Sequence, residues 1–191
     1  MTLTLLLSRR ELPAGWQAAL WQQIPRPEQL HLFCLAQATH LLCEDFSFLP
    51  PGRRVYCAYS HRLLGASPPP EGFPFEAGGL ATLGALVRDS HGTISLPYCH
   101  WPGARGELGL KSMGIFLGDE LDAQKEAIRL ATGMAGCDHA VTLYTPVEPE
   151  ALRMLLPETD SLLEALMALG AAFKLVSPDT PVGKHAVLLQ L

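Results

Sequence analysis

The chain has 191 residues, of which 48% are apolar and 17% charged, and its formal net charge is −5 at pH 7. This composition is typical of a globular protein with one large domain or two small ones. The negative charge gives no electrostatic basis for binding nucleic acid or an anionic membrane.

Targeting and membrane signals are weak in this sequence. No run approaches the roughly 18 consecutive apolar residues of a membrane span. The apolar run over residues 2–7 is too short for the core of a signal peptide, and Arg9 and Arg10 follow it instead of preceding it. We therefore expect a cytoplasmic protein without membrane contact.

The first part of the chain alternates predicted strands and helices. A helix over 14–24 is introduced by Pro13 and stopped by Pro25. Further helical pieces are predicted over 38–43 and 79–90. Short apolar runs predict strands over 2–7, 30–35, 54–59 and 93–96, and a proline-rich loop spans 67–74.

The same alternation restarts after a connector without clear periodicity. Helices are predicted over 121–134, 148–156 and 161–169. We expect Asp119 to cap the first of these, Ser161 and Glu164 to form a capping box on the last, and Gly170 to end it. Strands are predicted over 113–117, 139–144, 172–176 and 186–191.

The two halves have a similar spacing of strands. Leu3 and Leu30 are 27 residues apart in the first half, and Met113 and Val141 are 28 apart in the second. Strands that alternate with helices predict βαβ units and parallel sheets. We predict an internal duplication, with one unit over 1–97, a connector over 98–112 and a second unit over 113–191. The alternative is one continuous doubly wound sheet.

Cys57 is the candidate reactive group. Five cysteines, an odd number, indicate thiols in place of a disulfide framework. Cys57 lies near the end of a predicted strand, where parallel sheets gather functional groups, and a thiol with an ordinary pKa of about 8.5 needs a local environment that favours the anion. The alternative is a buried packing residue. Cys34, Cys43 and Cys137 are interpreted as packing residues, and Cys99 as the other thiol open to exposure.

Metal chemistry is not predicted. His31 and Cys34 are three apart on a strand and face opposite sides. His40 and Cys43 share a helix face but supply only two ligands, where a structural zinc needs four.

Two other patterns have structural interpretations. Gly78 and Gly79 belong to no phosphate-binding motif and instead indicate a tight helix start. Asp119, Glu120 and Asp122 precede or begin a helix, where carboxylates cap and complement the helix dipole.

The segment around Cys57 resembles a known family. A predicted strand contains Cys57, Gly65 follows eight residues later, and a Gly-Leu-rich helix from Gly78 leads into the strand at 93–96. This arrangement resembles the DsrE/DsrF/TusD-like sulfur-relay proteins. Residues 113–117, 128–131 and 139–144 are similar to the opening strand–helix–strand of the same family.

The resemblance implies an α/β chain made of two tandem DsrE-like three-layer units with mainly parallel sheets, an internal pseudo-dimer. It implies a sulfurtransferase or sulfur carrier without cofactor, which accepts sulfur as a persulfide and passes it on. Its partners would be thiol-carrying donor and acceptor proteins and further copies of itself. Nucleic acid would enter only through sulfur relay to tRNA.

The second half departs from the family pattern. It has no cysteine at the corresponding place, residues 173–178, and it lacks the Gly-rich helix. At most one unit is therefore expected to be active. The expected catalytic residues are the sulfur-accepting Cys57 and two electrostatic helpers, His61 and Arg62. The residues expected to bind the substrate or partner are Tyr59, Ser60, Gly78 and Gly79, and the two glycines also shape the next helix start.

Two alternatives from other classes stay open. The first alternative to sulfur relay is a non-catalytic DsrE-like module that serves in assembly or regulation and binds protein partners. The second is a small-molecule-binding α/β protein whose site lies at the carboxyl ends of the strands.

Overall fold

The computed structural model describes residues 1–72, 74–96, 108–118, 120–176, 185 and 187–190, and of Gln23 and residues 188–190 only the backbone. The chain divides into two compact units, Met1–Gly109 and Leu110–Leu191. Each unit contains one sheet in which every strand pair is parallel. The protein is therefore mixed α/β with parallel sheets.

The described residues of the first unit form five strands and three α-helices. In chain order they are β1 (Thr2–Leu7), α1 (Trp16–Gln23), β2 (Gln29–Cys34), β3 (Arg54–Cys57), α2 (Ala58–Leu63), β4 (Phe75–Gly78), α3 (Leu80–Arg88) and β5 (Gly92–Leu96). A 3₁₀ helix, Ala36–Leu41, follows β2.

The sheet of the first unit has the strand order β4-β3-β2-β1-β5. Leu3 pairs in register with Leu30 of β2 on one side and with Gly92 of β5 on the other. Strand β1 is an interior strand with four leucines among its six residues, and all but the first residue are buried, as expected for a parallel strand covered on both faces.

Two layers cover this sheet. On one face, Leu3, Leu5 and Leu7 belong to a core cluster with Leu20 and Ile24 of α1. The 3₁₀ helix and the segment after it complete this cluster. On the opposite face the Thr4 hydroxyl donates to the Leu86 carbonyl of α3 at 3.2 Å. The first unit thus has a helix–sheet–helix arrangement.

In the second unit, four strands and three α-helices lie within the described residues. They are β6 (Ser112–Phe116), α4 (Leu121–Ala135), β7 (Ala140–Thr145), α5 (Pro149–Leu155), α6 (Asp160–Ala168), β8 (Ala172–Leu175) and β9 (Val187–Gln190). The strand order is β8-β7-β6-β9, and Met113 pairs with Val141 and Val187. The first strand again lies between the second and the last.

Helix α4 covers the sheet of the second unit, and α6 packs on α4. The Thr132 hydroxyl in α4 contacts the carbonyls of Ile128 at 2.9 Å and of Leu162 in α6 at 3.2 Å. Lys125 forms an ion pair with Glu158 at 2.6 Å, which ties α4 to the segment before α6.

Several predicted boundaries are wrong. The third strand was expected over 54–59, but it ends at Cys57, and Ala58 and Tyr59 begin α2. Strand β4 was not predicted, because four residues at a half-exposed edge carry little apolar periodicity. The N-cap residue of α6 is Thr159, without a side-chain cap, so Ser161 forms no capping box.

Other predicted features are resolved in part. Gly170 follows α6 with a φ of +77°, as expected of a helix-terminating glycine. Glu120 occupies the cap position of α4, and Asp119 lies outside the described residues. Most of the predicted connector, residues 98–107, also lies outside them.

No helix in the described part of the chain combines the length and apolar character needed to cross a membrane.

The close approach of β2 and the turn before β3 generates a stability prediction. A Cβ at Gly52 would lie 2.2 Å from the Leu30 carbonyl oxygen, whereas one at Gly79 would meet no atom within 4 Å. Because backbone must shift to relieve the first contact, Gly52→Ala should lower the free energy of unfolding by about 2–3 kcal/mol. Gly79→Ala should cost less than about 1 kcal/mol. Urea unfolding of both variants checks this, and equal losses would contradict it.

Candidate functional site

The carboxyl edge of the first sheet brings Cys57 next to a second strand end. Cys57 is the last residue of β3, and it pairs in register with Gly78, the last residue of β4. Helix α2 begins at Ala58 directly after Cys57, and α3 begins at Leu80. The edge of a parallel sheet thus gathers a thiol and two helix starts.

Gly78 makes this approach of the two strands possible. A Cβ on Gly78 would lie 2.5 Å from Cγ1 of Val55 and 3.1 Å from Oγ1 of Thr82. The Gly79 N–H donates to the Thr82 hydroxyl at 3.3 Å, which fixes the first turn of α3. The predicted role of this glycine pair in shaping a helix start thus has a steric basis at Gly78.

Helix α2 is short and is ended by a glycine. Cys57 has extended backbone angles, φ −72° and ψ 106°, so the chain turns into the helix at this residue. Gly65 has φ +61°, a conformation that strongly favours glycine, and the Ala66 N–H donates to the His61 carbonyl at 3.1 Å. The eight-residue interval from Cys57 to Gly65 therefore spans one small helix and its termination.

His61 and Arg62 lie in the last turn of α2. His61 Nε2 lies 3.0 Å from the Ser67 carbonyl oxygen, and because a carbonyl only accepts, Nε2 carries the proton. The ring also contacts Tyr56, with 5.0 Å between ring centroids. These contacts hold His61 against the start of the proline-rich loop. The Arg62 side chain is exposed at the far end of the helix from Cys57.

The remaining predicted residues differ in exposure. Tyr59 is 45% exposed, whereas Ser60, one position on, is buried. Cys57 itself is 0% exposed. Any reaction of this thiol with an external group therefore requires the residues around it to move.

The other thiols divide into buried and exposed ones. Cys34 lies in the core, where burial raises the pKa of its thiol to about 12. Cys43 is exposed, so its interpretation as a packing residue is wrong. Cys137 is half-buried, and Cys99 lies outside the described residues.

Metal binding has no support in the described part of the chain, which holds no group of three or more histidine, cysteine, aspartate or glutamate side chains arranged around a common point.

A hydrogen-bonded histidine in the second unit escaped the sequence analysis. Nδ1 of His185 lies 2.9 Å from the Ser112 hydroxyl, and Nε2 lies 2.7 Å from the Tyr144 hydroxyl. Burial and the charge of Lys174 lower the pKa of His185. The three residues are far apart in sequence, so no spacing signal points to them. Their geometry joins the first strand of this sheet to the chain before β9.

Relative burial predicts the order in which the thiols react. Iodoacetamide should modify Cys43 of the native chain at least about tenfold faster than Cys57 or Cys34, because Cys43 is exposed whereas the other two are buried and need structural opening. Peptide mass spectrometry after timed alkylation measures the three rates. After denaturation all three should react at similar rates, and a native Cys57 that reacts as fast as Cys43 would contradict the described burial.

No protein-family model, curated protein or solved structure matches this chain. The function is therefore argued from the chemistry of the site itself.

Proposed function

We propose that the chain is a sulfur-relay protein that accepts sulfur as a persulfide on Cys57. The observation that carries this proposal is the position of Cys57 at the carboxyl end of β3, beside the end of β4 and the start of α3. The resemblance to DsrE-like proteins rests on the same segment, with the strand-end cysteine, Gly65 and the helix after Gly78.

The start of a second helix lies beside Cys57 in the register of the sheet. The nine-residue α3 begins two residues after Gly78, which is the strand partner of Cys57. The amino end of a helix presents backbone N–H groups that lack intrahelical partners. On this proposal, sulfur is transferred at the strand end beside this helix start.

The transfer step needs no cofactor. The Cys57 thiolate attacks the outer sulfur of a donor persulfide, a sulfur–sulfur bond forms to Cys57, and the donor leaves as a thiolate. An acceptor thiolate then attacks the outer sulfur on Cys57 and releases the Cys57 thiolate. Each step exchanges one sulfur–sulfur bond for another, so no external oxidant or reductant is required. The partners are donor and acceptor proteins that present thiols.

The two units fit a duplicated DsrE-like chain. In both sheets the first strand lies between the second and the last, and the third lies beyond the second. When Leu3 and Leu30 are matched to Met113 and Val141, the registers bring Val176 to the position of Cys57. On this proposal the first unit carries sulfur, and the second unit is a structural partner without a sulfur-accepting cysteine.

Sulfur transfer requires Cys57 to become accessible, and α2 is the element that we expect to open, because Cys57 directly precedes it in the chain. It has six residues, and its Tyr59 and Leu63 side chains are 45% and 67% exposed. A short helix with few buried side chains opens at lower cost than a paired strand of the sheet.

A matched pair of variants tests whether opening of α2 limits sulfur loading. Leu63→Gly should weaken the helix by about 1 kcal/mol and raise the open population, and hence the loading rate, about fivefold. Leu63→Ala removes the same exposed side chain but keeps helix propensity, so it should load at the wild-type rate. Loading followed by quenched mass spectrometry measures both rates. Equal rates for the two variants would exclude α2 opening as the limiting step.

The relay itself is tested with glutathione persulfide as the donor. We expect mass spectrometry to find one added sulfur atom on the Cys57 peptide, which a reductant removes. Cys57→Ser should abolish this signal, whereas Cys43→Ser, which removes an exposed thiol, should leave it unchanged.

One result would refute the proposal. In that result, glutathione persulfide adds no sulfur to Cys57, although alkylation of the denatured chain shows that the Cys57 thiol is intact. The burial of Cys57 and the valine at its counterpart position favour a second candidate, a DsrE-like module that binds protein partners without carrying sulfur. That candidate predicts this negative result.

A further inference from the structure

A cavity of about 390 Å³ lies at the amino ends of strands β3 and β4, whereas Cys57 lies at the carboxyl end of β3. It is bordered by the amino ends of β3 and β4, the turn before β3 and the segment after the 3₁₀ helix. The first and last residues of β3 are about 10 Å apart, so the cavity and the thiol are separated by the length of this strand. Most of the cavity wall is apolar and consists of Phe46, Leu49, Pro51, Pro74 and Phe75, and Arg54 also lines it.

Arg54 occupies a position that an apolar residue would normally fill. It pairs in register with Leu32 on one side and with Phe75 on the other, so its side chain leaves the sheet on the face of the core cluster. The residue is only 8% exposed. Burial lowers the pKa of its guanidinium, because the charged form loses contact with water.

The hydrogen bonds of Arg54 hold backbone and do not neutralise its charge. Nη1 donates to the Leu30 carbonyl at 2.6 Å, and Nη2 donates to the Pro50 carbonyl at 2.8 Å. Among the described residues, Nε has no hydrogen-bond partner. These contacts fix the guanidinium plane while leaving part of its donor fork open.

No described carboxylate forms an ion pair with Arg54. Glu76 on the neighbouring strand binds Arg53 instead, at 2.6 Å, and its register partner is Val55, so it lies on the other face of the sheet. A buried cation without a counter-charge is costly, because neither water nor an anion stabilises it fully. An anion that enters the cavity would relieve this cost.

We infer that this cavity binds a small apolar monocarboxylate, with its carboxylate on the Arg54 guanidinium and its apolar body against the aromatic and proline side chains. This site is independent of the proposed sulfur relay on Cys57. A volume near 390 Å³ is at the lower end of small-molecule sites, which are mostly apolar with a few polar groups that orient the ligand.

Two exposed carboxylates on the same cavity restrict the charge of the ligand. Glu44 and Asp45 both line it. The Ser47 backbone N–H and hydroxyl donate to Asp45 and hold the pKa of that carboxyl below its ordinary value, so it stays ionised. One buried cation beside two exposed anions favours a ligand with a single negative charge and disfavours phosphate and other polyanions.

The test uses phenylacetate, its neutral isostere phenylacetamide and inorganic phosphate as probes on the full chain. Isothermal titration calorimetry should give saturable one-site binding of phenylacetate and at least about tenfold weaker binding of the other two. Arg54→Gln should weaken phenylacetate binding at least about tenfold and leave phenylacetamide binding unchanged.

A second variant keeps the inference testable if Arg54→Gln fails to fold, since Arg54 also holds two backbone carbonyls. Glu44→Gln removes an exposed negative charge beside the cavity and should tighten phenylacetate binding about twofold at low ionic strength. Absence of saturable phenylacetate binding by the wild-type chain, equal binding of phenylacetate and phenylacetamide, or equal or tighter binding of phosphate would each overturn the inference.

Discussion

Parallel pairing around one buried first strand is the constraint on which each unit depends. In the first unit β1 is held between β2 and β5, and in the second β6 is held between β7 and β9. Both strands carry Leu, Ile or Met side chains that are 0% exposed. Because all strands of a sheet run the same way, every strand delivers its last residue to one edge and its first residue to the other.

This geometry separates the two chemical features of β3. The strand has four residues, with Arg54 at its amino end and Cys57 at its carboxyl end. Alternation of side chains also sends them to opposite faces, so the guanidinium lies on the side of the core cluster and the thiol on the side of α3. Arg54 and Cys57 therefore lie in two separate environments on one short strand. Their side chains do not contact each other, so a substitution of one does not directly alter the surroundings of the other.

Sequence patterns predicted the central strands and the long helices well, because burial on one or both faces imposes a periodicity that can be read directly. They failed where tertiary contacts decide. Tyr59 has strand propensity, yet the chain enters a helix at Ala58 once β3 has ended at the sheet edge. Strand β4 is stabilised by pairing with β3 and not by its own apolar pattern. The burial of Arg54 was not predictable, since an Arg-Arg pair in a polar turn normally indicates an exposed surface.

The registers of the two sheets show how differently the units are equipped. With Leu3 matched to Met113, the position of Arg54 corresponds to Phe173 and that of Cys57 to Val176. At both positions the second unit has an apolar side chain. The buried charge and the thiol are therefore not requirements of the four strands that the two sheets share in the described residues, because the second sheet forms these four strands without them. The buried guanidinium costs stability through desolvation. Features that a fold does not need and that weaken it are expected at functional positions, which argues that the chemistry of this chain lies in its first unit.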